Sequence, residues 1–145
     1  MPSSPSRALV DTGVLRAFLV SSDHWHLECK AVLREAPKPL LTTAAVITEL
    51  FHFFVGNPHS VKRGWALLTS GAISIASIGN DDLPNLEALM LRYADRPMDF
   101  ADASLVHVAG REDIATILTI DHDDFETYRL GRNRKFRILP ARAGA

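Results

Sequence analysis

The stretch Ala8-Leu9-Val10-Asp11-Thr12-Gly13 decides the fold. A short apolar run that stops at an acid, then at a small hydroxyl residue and a glycine, reads as a buried strand followed by a turn into a helix. The pattern returns far downstream in Ile117-Leu118-Thr119-Ile120-Asp121. In a parallel sheet the C-terminal strand ends are where ligands bind. Two aspartates there would gather negative charge in one crevice, an arrangement that ordinarily needs a cation.

Working outward from Asp11, helical and strand patterns alternate. A helix is expected over Val14 to Val20, and a second behind Ser22 or Asp23 with Trp25, Cys29, Val32 and Leu33 at helical spacing. Pro37 and Pro39 end it before a short buried strand, Leu40 to Thr42. Thr43 caps the next helix, which carries Val46, Ile47, Leu50, Phe51 and Phe54 and stops at Gly56-Asn57-Pro58. Val61, Trp65 and Leu68 mark a further helix, and Ile73, Ile75 and Ile78 a third strand. Leu83 to Tyr93 is helical behind Asp81-Asp82, and Asp99 or Asp102 opens a helix to about Gly110. Thr116 to Ile120 and Phe136 to Leu139 complete five expected strands. Strands separated by helices imply right-handed crossovers and a mostly parallel α/β sheet covered on both faces. With 145 residues the chain is expected to be one domain, 1–145, with flexible ends at 1–6 and 141–145.

Composition narrows the class. Hydrophobic residues at 47% and charged residues at 23% are ordinary for a globular protein. The single cysteine, Cys29, forbids an internal disulfide and fits a reducing cytoplasm. No leader-like or membrane-length apolar run is present, so a membrane is not an expected partner. A net charge of -1 is not the global signature of a nucleic-acid binder. Locally, Arg129, Arg132, Arg134, Lys135 and Arg137 crowd behind Asp121, Asp123, Asp124 and Glu126. That juxtaposition suits either a basic rim beside an acidic pocket or a solvated loop.

Each acid carries two readings. Asp11 is a helix cap or a metal ligand. Glu49, in Thr48-Glu49-Leu50, occupies either the narrow polar stripe of an apolar helix or a pocket. Asp99 and Asp102 lie one turn apart at a helix start, where Asp99 can cap while Asp102 faces the crevice. Asp121 ends a strand, whereas Asp123 and Asp124 read as solvated or capping residues. The six histidines are scattered and no cysteine pair exists, so zinc is not expected; oxygen ligands favour magnesium, with manganese as a substitute. No nucleophile elbow, Gly-x-Gly-x-x-Gly or Walker loop is present. The aromatic residues sit at core-periodic positions and are not read as a base-stacking platform.

Taken in order, Val10-Asp11-Thr12-Gly13, Thr48-Glu49-Leu50, Asp102-Ala103-Ser104-Leu105-Val106 and Leu118-Thr119-Ile120-Asp121 with Asp124-Phe125 resemble the PIN-domain ribonucleases, especially VapC-type toxins of toxin–antitoxin pairs. The resemblance spans nearly the whole chain. It implies a three-layer α/β/α domain with a five-stranded, mostly parallel sheet and an acidic pocket of Asp11, Glu49, Asp102 and Asp121. Asp11 and Asp102 would be the principal metal ligands, with Glu49, Asp121 and an extra acid, Asp99, in support. Thr12 would brace the pocket; Gly13 departs from the more usual serine. The implied activity is hydrolysis of RNA phosphodiesters by magnesium-activated water, with Arg132 and Arg134 positioning phosphates. A small antitoxin and a homodimer are the implied protein partners, and the cytoplasm the implied location. Two alternatives stand beside this: a non-catalytic PIN-like domain that binds RNA or protein, and a phosphatase with Asp11 as covalent nucleophile. The second would want another aspartate at position 13, which is glycine.

Overall fold

The computed structural model describes residues 7–142. Strand β1 (Ala8–Val10) lies at the centre of a five-stranded sheet, flanked by β2 (Leu40–Thr43) and then β3 (Ile73–Ala76) on one side. On the other side come β4 (Thr116–Leu118) and the last strand, Arg137–Leu139. Every pairing in this sheet is parallel: Leu9 sits opposite Leu41 on one side and Ile117 on the other. The sheet is parallel throughout, and it is flanked by helices.

Burial explains the sequence pattern. Successive strand side chains point to opposite faces, yet all of β1 and β2 are buried, so both faces are covered and the strands read as unbroken apolar runs. Helices α1 (Thr12–Leu19), α2 (His26–Glu35), α3 (Ala44–Phe53) and α4 (Pro58–Leu68) follow in order, with α1 packed on the other three. After β3 come α5 (Leu83–Arg92) and α6 (Phe100–Glu112). Helix α6 is the most deeply inserted: Ala101 and every residue from Ala103 to Ala109 are buried. Thr43, at the end of β2, links to it through a 2.8 Å hydrogen bond between its Oγ1 and Ser104 Oγ.

Several boundaries differ from the sequence reading. Helix α2 begins at His26, because Asp23 is spent in a turn: its Oδ1 accepts the Trp25 N–H at 2.8 Å. Strand β4 stops at Leu118, and Thr119 turns its hydroxyl toward Asp11 at 3.0 Å. The segment after β4, to which the sequence reading assigned no element before the last strand, contains a short helix, α7 (His122–Thr127), and an antiparallel pair, β5 (Arg129–Leu130) and β6 (Arg134–Lys135), before β7 (Arg137–Leu139). These pieces are too short to display a period. Of the expected flexible ends, residues 1–6 and 143–145 lie outside the described residues. Arg142 is tied to Asp123 at 2.7 Å and Glu126 at 3.0 Å. Among the described residues no helix is long and apolar enough to cross a membrane.

The centre of the sheet should dominate stability. Leu9 is 0% exposed while Leu91, on α5, is 72% exposed. Leu9→Ala should therefore cost about 2–5 kcal/mol in urea unfolding, and Leu91→Ala less than about 0.5 kcal/mol.

Candidate active site

The chain passes from β1 outward to β2 and β3, then returns to the other flank of β1 as β4. Strand order therefore reverses between β1 and β4, and ligands of open parallel sheets bind at the C-terminal edge of such a switch point. Asp11 follows β1 there. Its N–H donates to Leu118 O at 2.9 Å, so the register that pairs Val10 with Leu118 also fixes Asp11 beside the end of β4.

Asp11 is only 9% exposed and caps α1. The Thr12 N–H donates to its Oδ1 at 2.8 Å and the Thr119 hydroxyl to its Oδ2 at 3.0 Å. Thr119 Oγ1 also accepts the Asp121 N–H at 3.0 Å, so one hydroxyl links the two strand-end aspartates. The capping role and the pocket position thus coincide in Asp11. Thr12 Oγ1 donates to Glu49 Oε1 at 2.9 Å and holds the glutamate of α3 toward α1. On α6, Asp99 Oδ1 accepts the Asp102 N–H at 2.8 Å as a cap, and Asp102 Oδ2 accepts from the Tyr128 hydroxyl at 3.1 Å.

These acids line one cavity of about 480 Å³: Asp11, Glu49, Asp99, Asp102, Asp121 and also Asp124. Asp124 was expected to be a solvated or capping residue. It stands in the first turn of α7 and also accepts from Arg96 at 3.0 Å. Arg16, which the sequence reading passed over, lines the same cavity and stacks its guanidinium 4.3 Å from the centroid of the Phe53 ring. Helical spacing gave no sign of it, because an arginine between apolar positions of α1 looks solvent-directed. Arg132 and Arg134 are not among the lining residues. Arg134 pairs with Asp113, the C-cap of α6. At about 1.5 Å per residue that is roughly 16 Å along the helix from Asp102. Arg134, in the β5–β6 hairpin, is thus held away from the pocket.

Crowding shows in the proton affinities. Burial, opposed by the Thr12 and Thr119 hydrogen bonds and reinforced by the charges of Glu49 and Asp99, pushes the Asp11 carboxyl up to about 6. Burial, then the charges of Asp11 and Asp99, push Asp102 up to about 8 against the Tyr128 hydrogen bond. Asp121 is raised as well, through lost hydration of its carboxyl and the neighbouring Asp124. Without a counter-charge Asp102 therefore keeps its proton at neutral pH, while Asp11 gives its own up only as pH rises through about 6. The folded protein binds more protons than the unfolded chain between about pH 4 and the raised values. Its stability is then full at the acid end of that window and is lost as pH rises through about 6 and about 8. Metal-free protein should melt at a lower temperature at pH 8.5 than at pH 5.5, and Asp102→Asn should remove most of the decline above pH 7. A Tm measured across this range without divalent ions checks the sign.

The donor set is all oxygen, which suits magnesium or manganese rather than softer metals. Among the described residues, no three His, Cys, Asp or Glu side chains converge closely enough to enclose an ion by themselves. Magnesium keeps several waters and is commonly held by one or two carboxylates, a number this pocket could supply. The residues fit the ion.

The chain is similar to known proteins over most of its length. It is 25% identical to Ribonuclease VapC26 of Mycobacterium tuberculosis over 135 residues, covering 91% of this chain and 99% of that protein. The crystal structure of Mycobacterium tuberculosis VapC20, described as a Sarcin-Ricin loop cleaving toxin, superposes with a TM-score of 0.73 at 19% identity, covering 80% of this chain and 91% of that one. A toxin–antitoxin complex from Klebsiella pneumoniae gives a TM-score of 0.65 at 22% identity, covering 83% and 91% respectively. The family model of the PIN domain matches residues 8–130. With its acid-lined pocket at the switch point of a five-stranded parallel sheet, this chain belongs to the PIN domain family.

Proposed function

We propose that the chain is a magnesium-dependent endoribonuclease and the toxin of a toxin–antitoxin pair. One observation carries this reading: carboxylates from four separate elements share one cavity, and burial raises the proton affinity of Asp11 and Asp102 at its centre, which a cation would offset. The ribonuclease VapC26 and the Sarcin-Ricin loop cleaving toxin VapC20, to which the chain is similar, support RNA as the substrate. The binding partner of the Klebsiella pneumoniae relative supports an antitoxin.

In this reading Asp11 and Asp102 hold the ion directly, while Glu49 and Asp121 hold its waters and Asp99 adds charge at the rim. Manganese would substitute. A divalent ion bound there polarises a phosphoryl oxygen and lowers the pKa of water. The chain's own groups do the rest. The Thr12 N–H and the Thr119 hydroxyl aim the two oxygens of Asp11, and Tyr128 aims Asp102. Glu49, braced by Thr12, would take the proton of the water that attacks phosphorus, while the bond to the in-line leaving oxygen breaks and that oxygen takes a proton from solvent. Arg16 is the one cation lining the pocket among the described residues and would face the RNA backbone. A looped or single-stranded RNA fits best, because its backbone and bases are free to enter a crevice. The antitoxin would cover this pocket with its C-terminal tail, the toxin would act as a homodimer, and the cytoplasm would be the site of action.

Asp11→Asn should lower RNA cleavage with magnesium more than about a hundredfold, since even partners that merely orient a ligand contribute 10–100-fold. Its circular dichroism should match the parent. Thr12→Val, which removes the brace on Glu49 together with a longer 3.3 Å bond to Val46 O, should lose about 10–100-fold. Undiminished cleavage by Asp11→Asn places the chemistry elsewhere. Chelation with EDTA should stop cleavage by the parent, and magnesium or manganese should restore it.

A further inference from the structure

A second cavity, of about 460 Å³, adjoins the acid pocket and shares with it a wall of Gly13, Arg16 and Ile120. Its far side carries Asp23, His24 and Trp25. These residues precede α2, in a turn that the sequence reading treated as part of a helix. The wall between the cavities is thin for a local reason. A Cβ at position 13 would stand 2.9 Å from Ile120 Cγ1, so any larger residue there would have to displace the Ile120 side chain.

Chemistry in the second cavity differs from that in the first. Trp25 is part-exposed and lies in a run of aromatic rings, 5.8 Å from His24 edge-on and 5.8 Å from His122 at a tilt. His122 is buried and anchored by a 2.8 Å hydrogen bond to Pro140 O. Asp23 links the turn that carries Trp25 to the cation: its Oδ1 accepts the Trp25 backbone N–H at 2.8 Å, and its Oδ2 lies 3.9 Å from Arg16 Nε. Arg16 in turn is stacked on Phe53, on the acid-pocket side. A fixed guanidinium thus stands between a carboxylate pocket suited to a phosphodiester and a cavity with an indole in its wall.

Resting on the nuclease reading above, we infer that this cavity is a subsite for an unstacked nucleobase adjoining the scissile phosphate. Trp25 supplies the stacking face, Arg16 holds the phosphate that joins this base to the cleaved position, and Asp23 positions both. Aromatic stacking of this kind tolerates any base and needs the base to leave its neighbours, which single-stranded and looped RNA permit.

The sequence has two tryptophans, so Trp65→Phe leaves Trp25 as the sole indole emitter. The test uses the full chain carrying Trp65→Phe and Asp11→Asn, in magnesium, titrated with a short mixed-sequence single-stranded RNA. Saturation should quench Trp25 fluorescence, whereas an abasic ribose-phosphate oligomer of equal length should bind, by anisotropy, without quenching. Trp25→Ala should weaken RNA binding about tenfold and leave abasic binding unchanged; Trp25→Phe should recover most of the loss. Arg16→Ala should weaken both ligands. If Trp25→Ala does not fold, the quenching comparison decides alone. RNA that binds to saturation without quenching, or binds Trp25→Ala as tightly as the parent, overturns the subsite. Cleavage by the wild-type chain separates the two readings. RNA cut without any dependence on Trp25 leaves the nuclease standing and removes the subsite, while RNA neither bound nor cut removes both.

Discussion

Everything in the pocket depends on the parallel register of β1 against β4. The pairing of Val10 with Leu118 and the Asp11 N–H bond to Leu118 O place two strand ends side by side at the point where strand order reverses. Shifting a strand by one residue would turn its side chains to the opposite face. Asp11 would then leave the Thr119 hydroxyl that holds it. The register is secured by burial: Leu9, Val10, Ile117 and Leu118 are all fully enclosed, so a slip would expose or mis-pack the centre of the core. The apolar core thus does electrostatic work, because it forces carboxylates together that would otherwise separate.

That enforced proximity explains the hydrogen bonds around the site. Each of Asp11, Glu49 and Asp102 receives a side-chain hydroxyl, from Thr119, Thr12 and Tyr128. Neutral donors orient a carboxylate and ease its charge without neutralising it, so the pocket remains available to a cation. A lysine or arginine in those places would have satisfied the acids permanently. Among the described residues, the one guanidinium lining the cavity, Arg16, is instead stacked on Phe53 and paired with Asp23 rather than with the central acids.

Much of this was legible in the sequence, for identifiable reasons. Asp11 and Asp121 stand where apolar runs end, and Asp99 with Asp102 stands at a helix start, so local pattern alone places all four at element termini. Topology then gathers them. Glu49 was visible only as a charge crowded by hydrophobes; the Thr12 contact that orients it spans distant parts of the chain. Other features had no local signal. Arg16 and Trp25 become neighbours through the turn at Asp23, which periodicity cannot register, and the aromatic run reaches across to His122. The cluster from Arg129 to Arg137 left two readings open in the sequence, a basic rim and a solvated loop. Adjacent in sequence, it is split by a two-stranded hairpin that aims Arg134 at Asp113, away from the acids.

The central claim is that Asp11 and Asp102 together hold a divalent ion at the β1–β4 switch point. Crystals of the wild-type chain grown with manganese, measured at a wavelength where manganese scatters anomalously, address it directly. The account predicts an anomalous peak within coordination distance of carboxylate oxygens of both Asp11 and Asp102. A peak bound elsewhere on the chain, or a pocket empty of manganese at millimolar concentration and pH 7.5, would contradict it.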